Sequence, residues 1–124
     1  METRKVENKS LQQGNNEFES GTLMLGPNVT AKTGALLKRG ANGAFMLVSD
    51  TASENPIAVN PVEVKNTGTN SGDFPIRALI SGRVRFDMLS VNGQPITAFQ
   101  GDLLRQYAGI IPIKATDLSW SRAD

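Results

Sequence analysis

The chain has 124 residues, a formal net charge of +1, and neither cysteine nor histidine. That length fits one domain. The missing thiols exclude disulfides, thiolate metal sites and a cysteine nucleophile, the missing imidazoles remove the commonest general base, and near-neutral charge supplies no global field for nucleic acid or an anionic membrane.

Residues 1–20 are polar, with three basic and four acidic side chains around isolated hydrophobes at Val6, Leu11 and Phe18. Alone, such a segment cannot bury enough apolar surface to offset its ordering entropy. It is expected to be an extended N-terminal arm that orders on a partner, with Val6, Leu11 and Phe18 as anchors; a plain polar tail is the alternative. Its basic residues lead into no apolar run, so it does not read as a secretion signal. No stretch of the chain reaches the ~20 apolar residues that span a bilayer. The sequons at Asn8 and Asn28 are then chance matches.

Residues 21–124 read as one β-rich domain. "TLML" (22–25) is a strand closed by Gly26-Pro27. "GALLKRG" and "AFMLVS" flank Asn42-Gly43, a strong hairpin turn signal. "IAVNPVEV" (57–64) is extended but broken by Pro61, which predicts an edge strand or two short strands with a kink. A polar loop (65–73) follows. "FPIRALI" and "RVRFDML" are strands joined at Ser81-Gly82, where glycine marks a bulge or bend.

One helix is predicted, over Thr97–Gly109. Thr97 and Gln100 match a capping box, Gly109 suits the C-terminal cap, and Phe99, Leu103 and Tyr107 recur at helical spacing with Leu104 and Ala108 beside them. Gly101 is a weak point inside it, and Asp102 offers a later start. "IIPI" (110–113) is a short strand, and Trp120 is the one anchor of a polar tail. About seven short strands and one late helix predict a mainly β domain, a small sandwich or barrel.

The chemistry-bearing motifs are sparse. "GALLKRGANG" lies between strands, without the following helix that a phosphate loop needs. Asp50, Glu54, Asp73, Asp87 and Asp102 are not paired by spacing and read as solvated charges or caps. No serine sits in a nucleophile-elbow context. Arg77, Arg83, Arg85 and Phe86 lie close together, as in single-strand-binding barrels. Alternation weakens that reading: Val84, Phe86 and Met88 would face inward and Arg83, Arg85 and Asp87 outward, with no ring beside the arginines.

The order of these features resembles the lambda-type head decoration proteins of tailed bacteriophages. The stretches concerned are "TGALLKRG", "GAFMLVSD", "PIAVNPVEV", a loop ending in Asp73, "FPIRALISGRVRFDML" and "DLLRQYAGIIPI", together covering residues 21–113. The resemblance implies a β-tulip-like domain without enzymatic activity, metal or cofactor. It implies homotrimers on the outer surface of the virion, assembled in the host cytoplasm. Their partner would be a major capsid protein of the HK97-type fold, bound at threefold and quasi-threefold positions of an expanded head and held against DNA pressure. It further implies that residues 1–20 are the capsid-binding arm, and neither nucleic acid nor membrane is an expected partner. Arg77, Arg83 and Arg85 become expected contacts to a neighbouring subunit or the capsid, with solvated surface charge as the alternative. A small β-barrel that binds a glycan or single-stranded nucleic acid is the rival function, and a carboxylate enzyme a third.

Overall fold

The computed structural model of the chain describes residues 16–51 and 54–114. Val6, Leu11 and Trp120 lie outside them. Within the described residues, ten strands and one α-helix follow in order: β1 Glu17–Leu25, β2 Thr30–Ala31, β3 Leu36–Arg39, β4 Phe45–Leu47, β5 Ala58–Val59, β6 Val64–Lys65, β7 Gly72–Arg85, β8 Ser90–Val91, β9 Gln94–Pro95, α1 Ala98–Ala108 and β10 Ile110–Ile113. β1, β4, β3, β5 and β7 close a five-stranded barrel, because β1 pairs with both β4 and β7. β10 runs parallel to the last residues of β7. The protein is mainly β, as the patterning predicts.

Adjacent residues feed two cores. Leu23, Leu25, Leu37, Phe45, Ala58 and Ala78 fill the barrel. Their neighbours Leu36, Val59 and Leu79 point the other way, into a second layer closed by Leu89, Val91, Ile96, Leu104 and Ile110. Strands buried on both faces lose the apolar–polar alternation, which is why "GALLKRG" and "RALI" read as short apolar runs.

Strand β7 serves both cores along its length, and this requires a change of parity. Ala78 lines the barrel and Leu79 the second layer, yet five residues later Val84 lies in the second layer. Side chains of a strand alternate with period two, so one residue must be slipped. The slip is a bulge where the β1–β7 register jumps from Glu17↔Ser81 to Phe18↔Leu79. It is followed by Gly82, whose φ is +126°. Beyond it the side chain of Asn16 replaces a strand: Oδ1 accepts from the Arg83 N–H at 2.9 Å and Nδ2 donates to the Arg83 carbonyl at 3.1 Å. On the opposite edge Gly82 donates to the Gly109 carbonyl at 3.3 Å, where β10 begins.

The helix is as predicted. Thr97 Oγ1 accepts from the Gln100 N–H, Gln100 Oε1 accepts from the Thr97 N–H, and Gly109 caps the far end at φ +66°. Gly101 lies inside α1, where its lack of a side chain lets the helix approach Phe86 and Pro112. The core-facing residues are Gly101, Leu104 and Ala108.

Other expectations are corrected. The expected arm boundary at residue 20 falls inside β1. Glu17–Ser20 pair with β7, and Phe18 packs against the second core layer. "RVRFDML" is a strand only to Arg85; Phe86–Met88 form a 3-10 turn. Pro61 does break its segment into two short strands, β5 and β6. β8 and β9 form a hairpin whose turn residues, Asn92 and Gly93, both have positive φ. That is the Asn-Gly turn signal again.

A β-carbon at residue 82 would lie 1.9 Å from Asn16 Oδ1, in a backbone region that suits glycine. Gly82→Ala should therefore cost about 1–3 kcal/mol in urea unfolding, and pairing it with Asn16→Gly should recover only the steric part. Unchanged stability in the single variant would refute this account of the slip.

Candidate interaction surface

The three arginines singled out from the sequence do not form one patch. Arg77 precedes the slip in β7, on the outward face shared with Leu79; Arg83 and Arg85 follow it and lie on the opposite face from Val84. Arg85 is committed locally, donating to both carboxylate oxygens of Asp87 at 3.3 and 3.0 Å. Arg83 is exposed, and its backbone is held by Asn16.

Arg77 is placed differently. Its guanidinium lies over the ring of Phe18, 5.1 Å from the centroid. The ring stands beside Arg77, not beside Arg83 and Arg85, the pair whose face is expected to carry none. The ring comes from the neighbouring strand, where Phe18 sits diagonal to Arg77 across the β1–β7 ladder. The two residues are far apart in the chain and meet only through strand pairing.

Phe18 and Arg77 border a groove of about 600 Å³, completed by Asn60, Pro61, Val62, Val64, Pro75 and Ile76. Its origin is a gap in the barrel wall. β5 pairs with β7 only at Val59↔Leu79. Continuing that antiparallel register would set Pro61 opposite Arg77 and Pro75 opposite Glu63. Proline brings no N–H to a ladder, so the pairing stops and the two segments diverge. Val62, 67% exposed, stands on the rim.

Asn60 lines this groove and is itself fully buried. Its Nδ2 donates to the Ala31 and Lys32 carbonyls, both at 3.1 Å. Its Oδ1 has no hydrogen-bond partner among the described residues. An unpaired buried acceptor costs about 1–3 kcal/mol.

A second apolar surface lies on α1. Phe99 is 63% and Tyr107 45% exposed, with half-buried Leu103 between them. The periodicity that marks the helix is therefore carried partly by its outer face.

Glu54 holds a loop in place near the other end of β3. Its Oε2 accepts from Lys38 Nζ at 2.5 Å, and Oε1 accepts from the Ser49 and Asp50 N–H groups at 2.8 and 3.0 Å. The Lys38 hydrogen bond, then those from Ser49 and Asp50, lower its carboxyl from 4.5 to about 2. It is thus a structural staple rather than the solvated loop charge expected. The same loop is tied to α1 through Gln100 Nε2, which donates to Thr51 Oγ1, and to the β8–β9 turn through Asn92 Nδ2, which donates to the Ser49 carbonyl.

Among the described residues no three acidic side chains gather into a metal-binding group, and no helix is long and apolar enough to cross a membrane. Comparison with family models, curated proteins and solved structures finds no match to this chain.

The Glu54 contacts predict a defined acid sensitivity. The folded value lies below the unfolded one, so the stabilisation is complete above pH 4.5 and is lost as the pH falls towards 2. Glu54→Gln should flatten the stability–pH curve over that window by about 1–2 kcal/mol relative to the parent, allowing for partial exposure of the pair. Parallel curves for the two proteins would show that the staple contributes nothing.

Proposed function

We propose that this chain is a decoration protein of a tailed-phage head. In this reading it seats as a homotrimer on the outer surface of the expanded shell, at threefold and quasi-threefold positions. It grips a major capsid protein of the HK97-type fold and secures neighbouring capsomers against DNA pressure. What supports this is the order of sequence features over residues 21–113, which map onto the barrel strands, α1 and β10. The observation that carries it furthest is the outward stripe of Phe99, Leu103 and Tyr107. An aromatic stripe on an exposed helix face is suited to association, because aromatic side chains are enriched in the buried centres of interfaces.

In this reading residues 1–15, with Val6 and Leu11, are the capsid-binding arm, and Phe18 belongs to the barrel. A stable interface buries ~1,200–2,000 Å² in total, more than one short arm supplies. Three arms on one trimer add ~10²–10⁴ in avidity.

Removing residues 2–15 spares Asn16 and β1. The shortened protein should unfold like the parent but bind empty expanded heads ~10²-fold more weakly in a sedimentation assay. Equal decoration by both forms would rule out the arm. Phe99→Ser with Tyr107→Ser should change unfolding free energy by no more than ~0.5 kcal/mol while reducing trimer mass in light scattering or occupancy on heads. A parent chain that stays monomeric with and without heads would overturn the proposal.

A further inference from the structure

We infer that the gap in the barrel wall between residues 60–64 and 75–77 is a binding site for an extended acidic peptide segment of a partner protein. Two independent features of the groove specify that occupant. Its backbone geometry is that of an interrupted ladder: β5 and β7 part after Val59↔Leu79, where β7 stays extended while residues 60–63 leave the ladder with a bend at Val62. An extended segment matches such a gap because it presents backbone donors and acceptors at strand spacing.

Charge supplies the second feature. Arg77 is the charged side chain among the groove-lining residues, and its described contact is the face of Phe18 rather than a carboxylate. A guanidinium stacked on a ring keeps its planar edge free to hold a carboxylate through two hydrogen bonds. The remaining walls, Pro61, Val62, Val64, Pro75 and Ile76, suit an apolar side chain next to that acid. The occupant is thus a segment in which acidic and apolar residues alternate. Residues 1–15, with three basic and two acidic side chains, lack that charge. The inference stands apart from the decoration reading and can fail or hold without it.

The test is a titration of the isotope-labelled full chain with the peptide Ac-Glu-Val-Glu-Val-Glu-NH2, followed by amide chemical shifts. Ac-Lys-Val-Lys-Val-Lys-NH2 is the control. The acidic peptide should move the signals of Phe18, Asn60, Val62, Ile76 and Arg77 saturably in the millimolar range, ~1 mM corresponding to ~4 kcal/mol. The basic peptide should not. Arg77→Glu and, independently, Val62→Asp should weaken binding ~10-fold or more while keeping the dispersed spectrum of the folded parent. Four results would overturn the inference: an equal response to both peptides, shifts confined to α1, no saturable shift by about 5 mM, or parental affinity in both folded variants. Movement of the groove signals on deleting residues 2–15 or 115–124 would also overturn it, by identifying a segment of this chain as the occupant.

Discussion

Gly82 and the side chain of Asn16 sit where the demands on β7 conflict. Upstream, the strand lines a closed barrel with its even-numbered residues, from Phe74 to Ile80. Downstream, the same parity must face the helix layer, because Val84 packs there with Leu104 and Ile110. A regular strand cannot do both. The bulge beside Ser81 and the positive φ of Gly82 shift the alternation by one residue, and the Asn16 amide fills the place that β1 vacates. The placement of β10, α1 and the β8–β9 hairpin depends on this slip, since all three cover the layer that Val84 enters.

The two ends of β7 have opposite character. At the Gly82 end its edges are occupied, by β10 on one side and by Asn16 on the other. At the Pro75 end β1 covers one edge, and the facing segment, 60–64, has parted from the other. A barrel with fully paired walls presents no edge to a partner. Here two prolines leave one section of wall unpaired and border it with Arg77, Phe18 and Val62. The aromatic stripe on α1 is a separate surface, and the two could be occupied together.

Much of the local structure was legible. The capping box at Thr97 and Gln100, the Gly109 cap, the Asn42-Gly43 hairpin and the break at Pro61 all depend on short-range chemistry, and all appear where the residues indicate. The helix period was legible too, but not which stripe the core would take. Leu104 and Ala108 went inward, and Phe99 and Tyr107 outward. Glu54 reads as a solvated loop charge because its partner Lys38 lies on β3, away from it in the chain. Local patterns fail where contacts span large distances along the chain. Phe18 reads as part of the arm because its neighbours are polar, although it pairs across to Leu79 and stacks on Arg77, both far away in the chain on β7.

The sequence by itself determined that this chain is mainly β, carries one late helix and turns at its Asn-Gly and proline-broken segments. These follow from torsional preference and capping, which act over a few residues. Only the tertiary structure decided that the barrel closes through β1 and β7, that Arg77 is separated in facing from Arg83 and Arg85, and that Asn60 lies buried beside an unpaired section of wall. Closure and facing depend on strand register and on a one-residue slip. Register is set jointly by pairings between segments far apart in the chain, so no local pattern could specify it.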